Sequence, residues 1–256
     1  MRAVYVIAGG MVKELIRKKD FYVLFILMLA LLGFLSSQSF FQIEGISRYI
    51  RDFGYSMVVI FSFLITVMTA AKQLPSEIES KTIYPLLAKP INRKTIILGK
   101  YFGSVFVSIL AFTALYAMYL VFYMATGEKK VLSLLAEGYL MGGLFLSLVA
   151  ALVIFFSTFL TMSANVAISI LLYFMINGFS QELRNLSYLS KGAASYVAGA
   201  IFYVIPHFDF YDMRVRLTHS WDALPAWIIL AVSAYTIVYA YFLLHISGMI
   251  FGKKKL

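Results

Sequence analysis

Cysteine is absent from the 256 residues, which excludes disulfide frameworks, thiolate nucleophiles and cysteine-held metals. Charge is scarce: 13% of residues are Asp, Glu, Lys or Arg, against roughly 25% in a soluble domain. Acids are the scarcer sign, 12 against 22 bases. No Gly-x-x-x-x-Gly-Lys-Ser/Thr phosphate loop occurs, and Gly99-Lys100-Tyr101 lacks both its spacing and its hydroxyl, so the chain carries no ATPase site of that kind.

Apolar residues fill the space that charge leaves, at 62% of the chain and a mean hydropathy of +0.86. A single core cannot bury that much apolar surface, but a bilayer can, if the residues come in runs of about 20 that cross roughly 30 Å of hydrocarbon as helix. Six runs qualify, at residues 21–43, 55–71, 101–125, 138–162, 164–179 and 226–251, and none contains Asp, Glu, Lys or Arg. The expected fold is an all-α integral membrane protein of six transmembrane helices in one domain over residues 1–256. The second and fifth runs are short, which suits helices near the middle of a bundle or helices that thin the bilayer locally.

The net charge of +10 is placed unevenly. Residues 1–20 carry five bases against two acids, residues 72–100 carry six against two, and the tail adds Lys253, Lys254 and Lys255. The other connections balance. The positive-inside rule therefore puts both termini and the loop between the second and third spans in the cytoplasm. The basic charge reads as topology and as contact with anionic membrane lipids, and nucleic acid is not expected as a partner.

Ahead of the first span, Val4, Ile7, Ala8, Met11 and Leu15 recur at helical spacing, so residues 1–20 read as an amphipathic interfacial helix. A cleaved signal peptide fits worse: the basic region is long, and Leu35-Ser36-Ser37 is a poor cleavage site. Residues 180–225 form a long outer segment. Its apolar run at 193–205 is too short to cross, so a re-entrant, interfacial or lid element is expected, ended by Pro206.

The richest polar segment spans residues 72–100. Ser76 with Glu79 has capping-box spacing, which predicts a short helix after the second span. Pro85 limits that helix to two or three turns, Pro90 forces an extended turn, and Asn92 is suited to cap the helix that enters the third span. Composition leaves two readings open: an ordinary polar loop, or a coupling helix that passes a push from a cytoplasmic partner into two membrane helices.

The stretch Glu79-x-Lys81-Thr82, Leu86-Leu87-Ala88-Lys89-Pro90-Ile91-x-Arg93 and Leu98-Gly99-Lys100 resembles the cytoplasmic motif of type-2 ABC transporter permeases. It departs at Lys81, where glycine is common, and at Asn92, where serine is common. The order of spans, the amphipathic start and the long loop before the last span resemble that family too. The resemblance implies a permease subunit of an ATP-driven exporter in a prokaryotic cytoplasmic membrane, with no cofactor of its own. It implies a separate nucleotide-binding ABC ATPase, holding ATP and Mg, and a second permease making a homo- or heterodimer. It also implies docking or gating roles for Glu77, Glu79, Lys81, Thr82 and Arg93, and a path between permeases lined by the second and fifth spans. Phe61, Phe63, Tyr173 and Asn177 are then candidates for its lining, with Phe174 and Met175 beside them.

Other chemistry finds little footing. An ion-coupled carrier needs ionisable groups at membrane depth, and only His245 lies in a span. His207, Asp209, Asp212, His219 and Asp222 have no spacing diagnostic of a metal site, and no metal is expected. Asn165 reads as a helix cap and Asn177 as an interhelical hydrogen-bonding residue or a substrate contact. A non-transporting membrane scaffold remains the alternative from another class.

Overall fold

The computed structural model describes residues 19–37, 46–81, 93–125, 132–189, 199, 205–219 and 221–253. Among them no strand occurs. The helices are α1 (Lys19–Ser37), α2 (Ile46–Ala71), α3 (Pro75–Glu79), α4 (Arg93–Ala125), α5 (Leu132–Ser157), α6 (Met162–Leu189), α7 (Arg214–His219) and α8 (Ala226–Lys253), with a 3-10 turn at Phe208–Tyr211 before α7. The interfacial helix expected at 1–20, the coupling residues 82–92 and nearly all of the apolar run at 193–205 lie outside the described residues.

Five helices, α2, α4, α5, α6 and α8, are long and apolar enough to cross a membrane. The expected first span is the exception. Its apolar stretch within α1 is Phe21–Ser37, which at about 1.5 Å per residue falls short of the roughly 30 Å of hydrocarbon.

The bundle centre is α2, α4 and α5, packed against one another, with α8 against α5 and α4, and α1 against α2 and α4. One expectation about the short spans is corrected, and the helices that hold them are longer than the apolar runs. Neither helix is short, since α2 starts at Ile46 and α6 runs to Leu189; polar turns prolong both beyond their apolar runs. Only α2 is central: 56% of its apolar window is buried, against 17% for α6, which touches α2, α5 and the 3-10 turn.

Close approach at the centre depends on two glycines. A Cβ at Gly142 would meet the Phe112 ring at 2.4 Å, and one at Gly54 would meet the Tyr119 ring at 2.9 Å. Small residues here let large rings on α4 lie against the neighbouring backbones. Around them Tyr55, Tyr116 and Tyr119 form an aromatic cluster with centroids 5.6–6.4 Å apart. Their hydroxyls donate to carbonyls: Tyr55 to Gly138 at 3.1 Å, Tyr116 to Leu135 at 2.6 Å and Tyr119 to Arg51 at 3.4 Å. Buried rings thus keep their polar tips satisfied.

Asn165 is buried and does not cap a helix. Its side-chain amide donates to the Val153 carbonyl at 3.0 Å and its Oδ1 accepts from Ser169 at 3.2 Å, which straps α6 to α5 beside their tight connection. Asn177 bonds within its own helix, to the Tyr173 carbonyl at 2.9 Å. The cap and interhelical roles expected of the two asparagines are therefore corrected: the deeper one joins helices and the other does not.

Helix direction defines two ends. The basic end holds the C-terminus of α2, helix α3, the start of α4 and the end of α8. The far end holds the starts of α2, α5 and α8 together with the 3-10 turn and α7. Exposed Trp221 and Trp227 stand at the far end, where α8 begins, as expected of indoles at a membrane interface.

Candidate functional site

At the basic end α2 turns almost directly into α3. Pro75 occupies the first helical position, where its missing N–H costs nothing. The capping-box expectation is corrected by that start: the N-cap is Leu74, without a side-chain bond, and Ser76 lies inside the helix with Oγ donating to the Lys72 carbonyl at 2.5 Å. Nor does the helix last to Pro85. It ends at Glu79, and Lys81 turns the chain with φ of 58°. That left-handed conformation strains any residue with a Cβ and favours glycine.

Of the residues expected to dock a partner, Glu77 and Arg93 face inward. Glu77 pairs with the buried ammonium of Lys100 on α4, and Gln73 Oε1 stands 3.4 Å from the same Nζ. Arg93 reaches the last helix, its Nη1 donating to the carbonyls of Phe251 at 3.0 Å and Gly252 at 3.3 Å, with the guanidinium 5.9 Å from the Phe251 ring. A cation at a helix C-terminus answers both the unpaired carbonyls and the dipole. Lys94 extends the same contact: a Cβ at Gly248 would sit 3.2 Å from Lys94 Cγ. Glu79 and Lys81 are exposed, and Thr82 lies outside the described residues.

At the far end a small cleft opens between α2, α5, α6 and the segment that caps them. Tyr55, Ser56, Val59 and Ile60 come from α2, Gly142 and Phe145 from α5, Tyr173 and Asn177 from α6, and Phe208, Tyr211, Asp212 and Arg214 from the capping segment. Two of the four expected lining residues are therefore present. Phe63 stands behind the wall, its ring stacked on Tyr173 at 4.4 Å and on Phe145 at 6.3 Å. Phe61 is buried away from the cleft, and Phe174 and Met175 point outward.

The cap is held by hydrogen bonds to two helices. Tyr211 and Thr236 share one of 2.7 Å, the His207 amide donates to the Tyr235 hydroxyl at 3.1 Å, and the Leu224 amide donates to buried Glu137 at 3.0 Å. Burial pushes the Tyr211 phenol above its usual range. Asp212 accepts the Arg214 amide at 2.9 Å, opening α7 with an Asx turn, and also accepts its guanidinium at 2.6–3.0 Å. Those bonds push Arg214 further up, so it stays a cation.

The sequence reasoning did not single out Tyr55, Ser56, Phe145, Phe208, Tyr211 or Arg214. The available signal was Asp212-x-Arg214, the spacing at which an Asx turn can also carry an ion pair. Elsewhere, His207 stacks on Phe210 at 5.2 Å, His219 Nδ1 stands 3.0 Å from the Val215 carbonyl, and His245 stacks on Tyr241 at 6.0 Å.

The chain from residue 5 to residue 256 matches the family model described as ABC-2 family transporter protein. No curated protein matches it.

Proposed function

The chain belongs to the ABC-2 family of transporter permeases, a membrane component without an ATPase of its own, and from that premise we propose that it is one of two permeases in an ATP-driven exporter. A separate ABC ATPase binds ATP and Mg and docks on the basic end, which faces the cytoplasm together with both termini. The apolar run at residues 21–43, which holds most of α1, is the sixth span. The second permease, identical or similar, covers α6, the least buried of the five long helices.

The observation that carries the coupling mechanism is the pair of inward contacts at the basic end. Glu77 fixes α3 to α4 through Lys100, and Arg93 fixes the start of α4 to the end of α8. A load applied to residues 79–93 therefore reaches three long helices, α2, α4 and α8. Exposed Glu79 and Lys81, with Thr82, make the contact with the ATPase, while Glu77 and Arg93 transmit the movement. The substrate path runs along α2 and α6, past Tyr173 and Asn177, with Phe63 supporting the wall.

Affinity purification of the tagged chain from its native membranes tests this. A phosphate-loop ATPase should accompany the wild type and be lost with a Glu79→Ala, Lys81→Ala variant of unchanged stability. A folded wild type that brings down no ATPase overturns the proposal.

A further inference from the structure

We propose that the far-end cleft is a binding site for a lipid-like amphiphile with a zwitterionic head group, held with its head toward the far end and its chain toward the bundle interior. The inference deepens the transport reading above, on which it rests for its place along the path.

The first argument is polarity along depth. On α2, Ser56 lies about one turn nearer the far end than Val59 and Ile60; on α6, Asn177 lies about one turn beyond Tyr173; on α5, Phe145 lies below Gly142. Asp212 and Arg214 close the far side. The cleft therefore changes from polar to apolar along the bundle, the gradient an amphiphile has between its head and its chain. A water-soluble ligand has no use for the apolar half, and a plain hydrocarbon none for the polar half.

The second argument is charge. The two ionised lining residues are opposite in sign and paired, with side-chain exposures of 47% for Arg214 and 30% for Asp212. A ligand of one sign competes for one member of that pair and weakens the counter-charge of the other, a cost on the scale of one partly exposed ion pair. A head bearing both signs places its anionic group on Arg214 and its cationic group on Asp212, so neither residue is stranded. The walls add to the cation's side: Tyr55, Tyr173 and Tyr211 line the same cleft, and ring faces attract alkylammonium groups.

The test uses the full chain purified in an uncharged maltoside, titrated with phosphatidylcholine, anionic phosphatidylglycerol and a cationic dialkyldimethylammonium lipid, with occupancy read by native mass spectrometry. Wild type should prefer phosphatidylcholine by about fivefold, the scale of one partly exposed ion pair. Asp212→Asn keeps the Asx-turn acceptor and should shift the preference to the anionic lipid; Arg214→Gln should shift it to the cationic one. The double variant should lose the ranking. Asn177→Leu, on an exposed side chain, should weaken phosphatidylcholine binding without reversing the order and serves if a charge variant does not fold. One lipid ranking shared by wild type and all variants overturns the site. That result leaves ATPase co-purification untouched, so failure here and failure of the transport reading are separate observations.

Discussion

The two ends of the bundle use ionised side chains in opposite ways. At the basic end Glu77 and Arg93 reach across to other helices, so that charge joins α3 to α4 and α4 to α8. At the far end Asp212 and Arg214 lie two residues apart in one segment and pair with each other, while the joining of helices falls to uncharged tyrosines and to Glu137. Long-range charged contacts suit an end that must move as a unit. A local pair beside a cleft can open to a ligand without loosening the helices around it.

The sharpest way to break this contrast is at Glu77. Glu77→Gln leaves the ammonium of Lys100 buried beside a neutral partner, and stranding one member of a largely buried pair costs about 3 kcal/mol. Thermal unfolding should drop by several degrees, and ATP hydrolysis by the assembled complex should continue with transport reduced. The matching change at the far end, Asp212→Asn, breaks an exposed pair worth less than about 1 kcal/mol and should leave unfolding nearly unchanged. Equal losses at the two ends would remove the distinction.

Arg93→Ala comes next. It removes two charge-assisted hydrogen bonds from the end of α8, at a cost of about 2 kcal/mol. Hydrogen exchange should rise in the last turn of α8 and stay as in wild type at its start. Tyr116→Phe probes the uncharged joint of the far end. Losing the 2.6 Å bond to the Leu135 carbonyl should cost about 1 kcal/mol, with no change in ATPase coupling.

The sequence revealed the helices better than their limits. Apolar runs mark where a chain can lie in lipid, so five of the six expected spans coincide with long helices. Their ends lie in polar turns such as Arg48 to Asp52, which hydropathy does not register as helix. The segment 72–100 stands out in the sequence by its charge, but docking and gating residues within it cannot be told apart there. Nothing in the order of residues says that Glu77 faces Lys100 or that Arg93 meets a carbonyl 158 positions away. The cleft was legible only in part for a similar reason. Tyr173 and Asn177 sit on an apolar span and drew notice, whereas Tyr211 and Arg214 belong to a cap that docks by tertiary contacts alone. Even Ser76 misled: its spacing to Glu79 fits a capping box, yet Pro75 sets the helix start earlier.

The smallest predicted effect has two signs. Lys81 holds φ of 58° at the turn after α3, a backbone conformation that favours glycine. Lys81→Gly relieves that strain, partly offset by the greater freedom of glycine in the unfolded chain, for a net gain of about 0.5 kcal/mol. If Lys81 serves only the turn, thermal stability and ATPase co-purification should rise together or stay level. If its exposed ammonium is part of the docking surface, stability should rise while co-purification falls. Only the second outcome agrees with the division of labour proposed for this end, in which Glu77 and Arg93 carry load inward and Lys81 receives it.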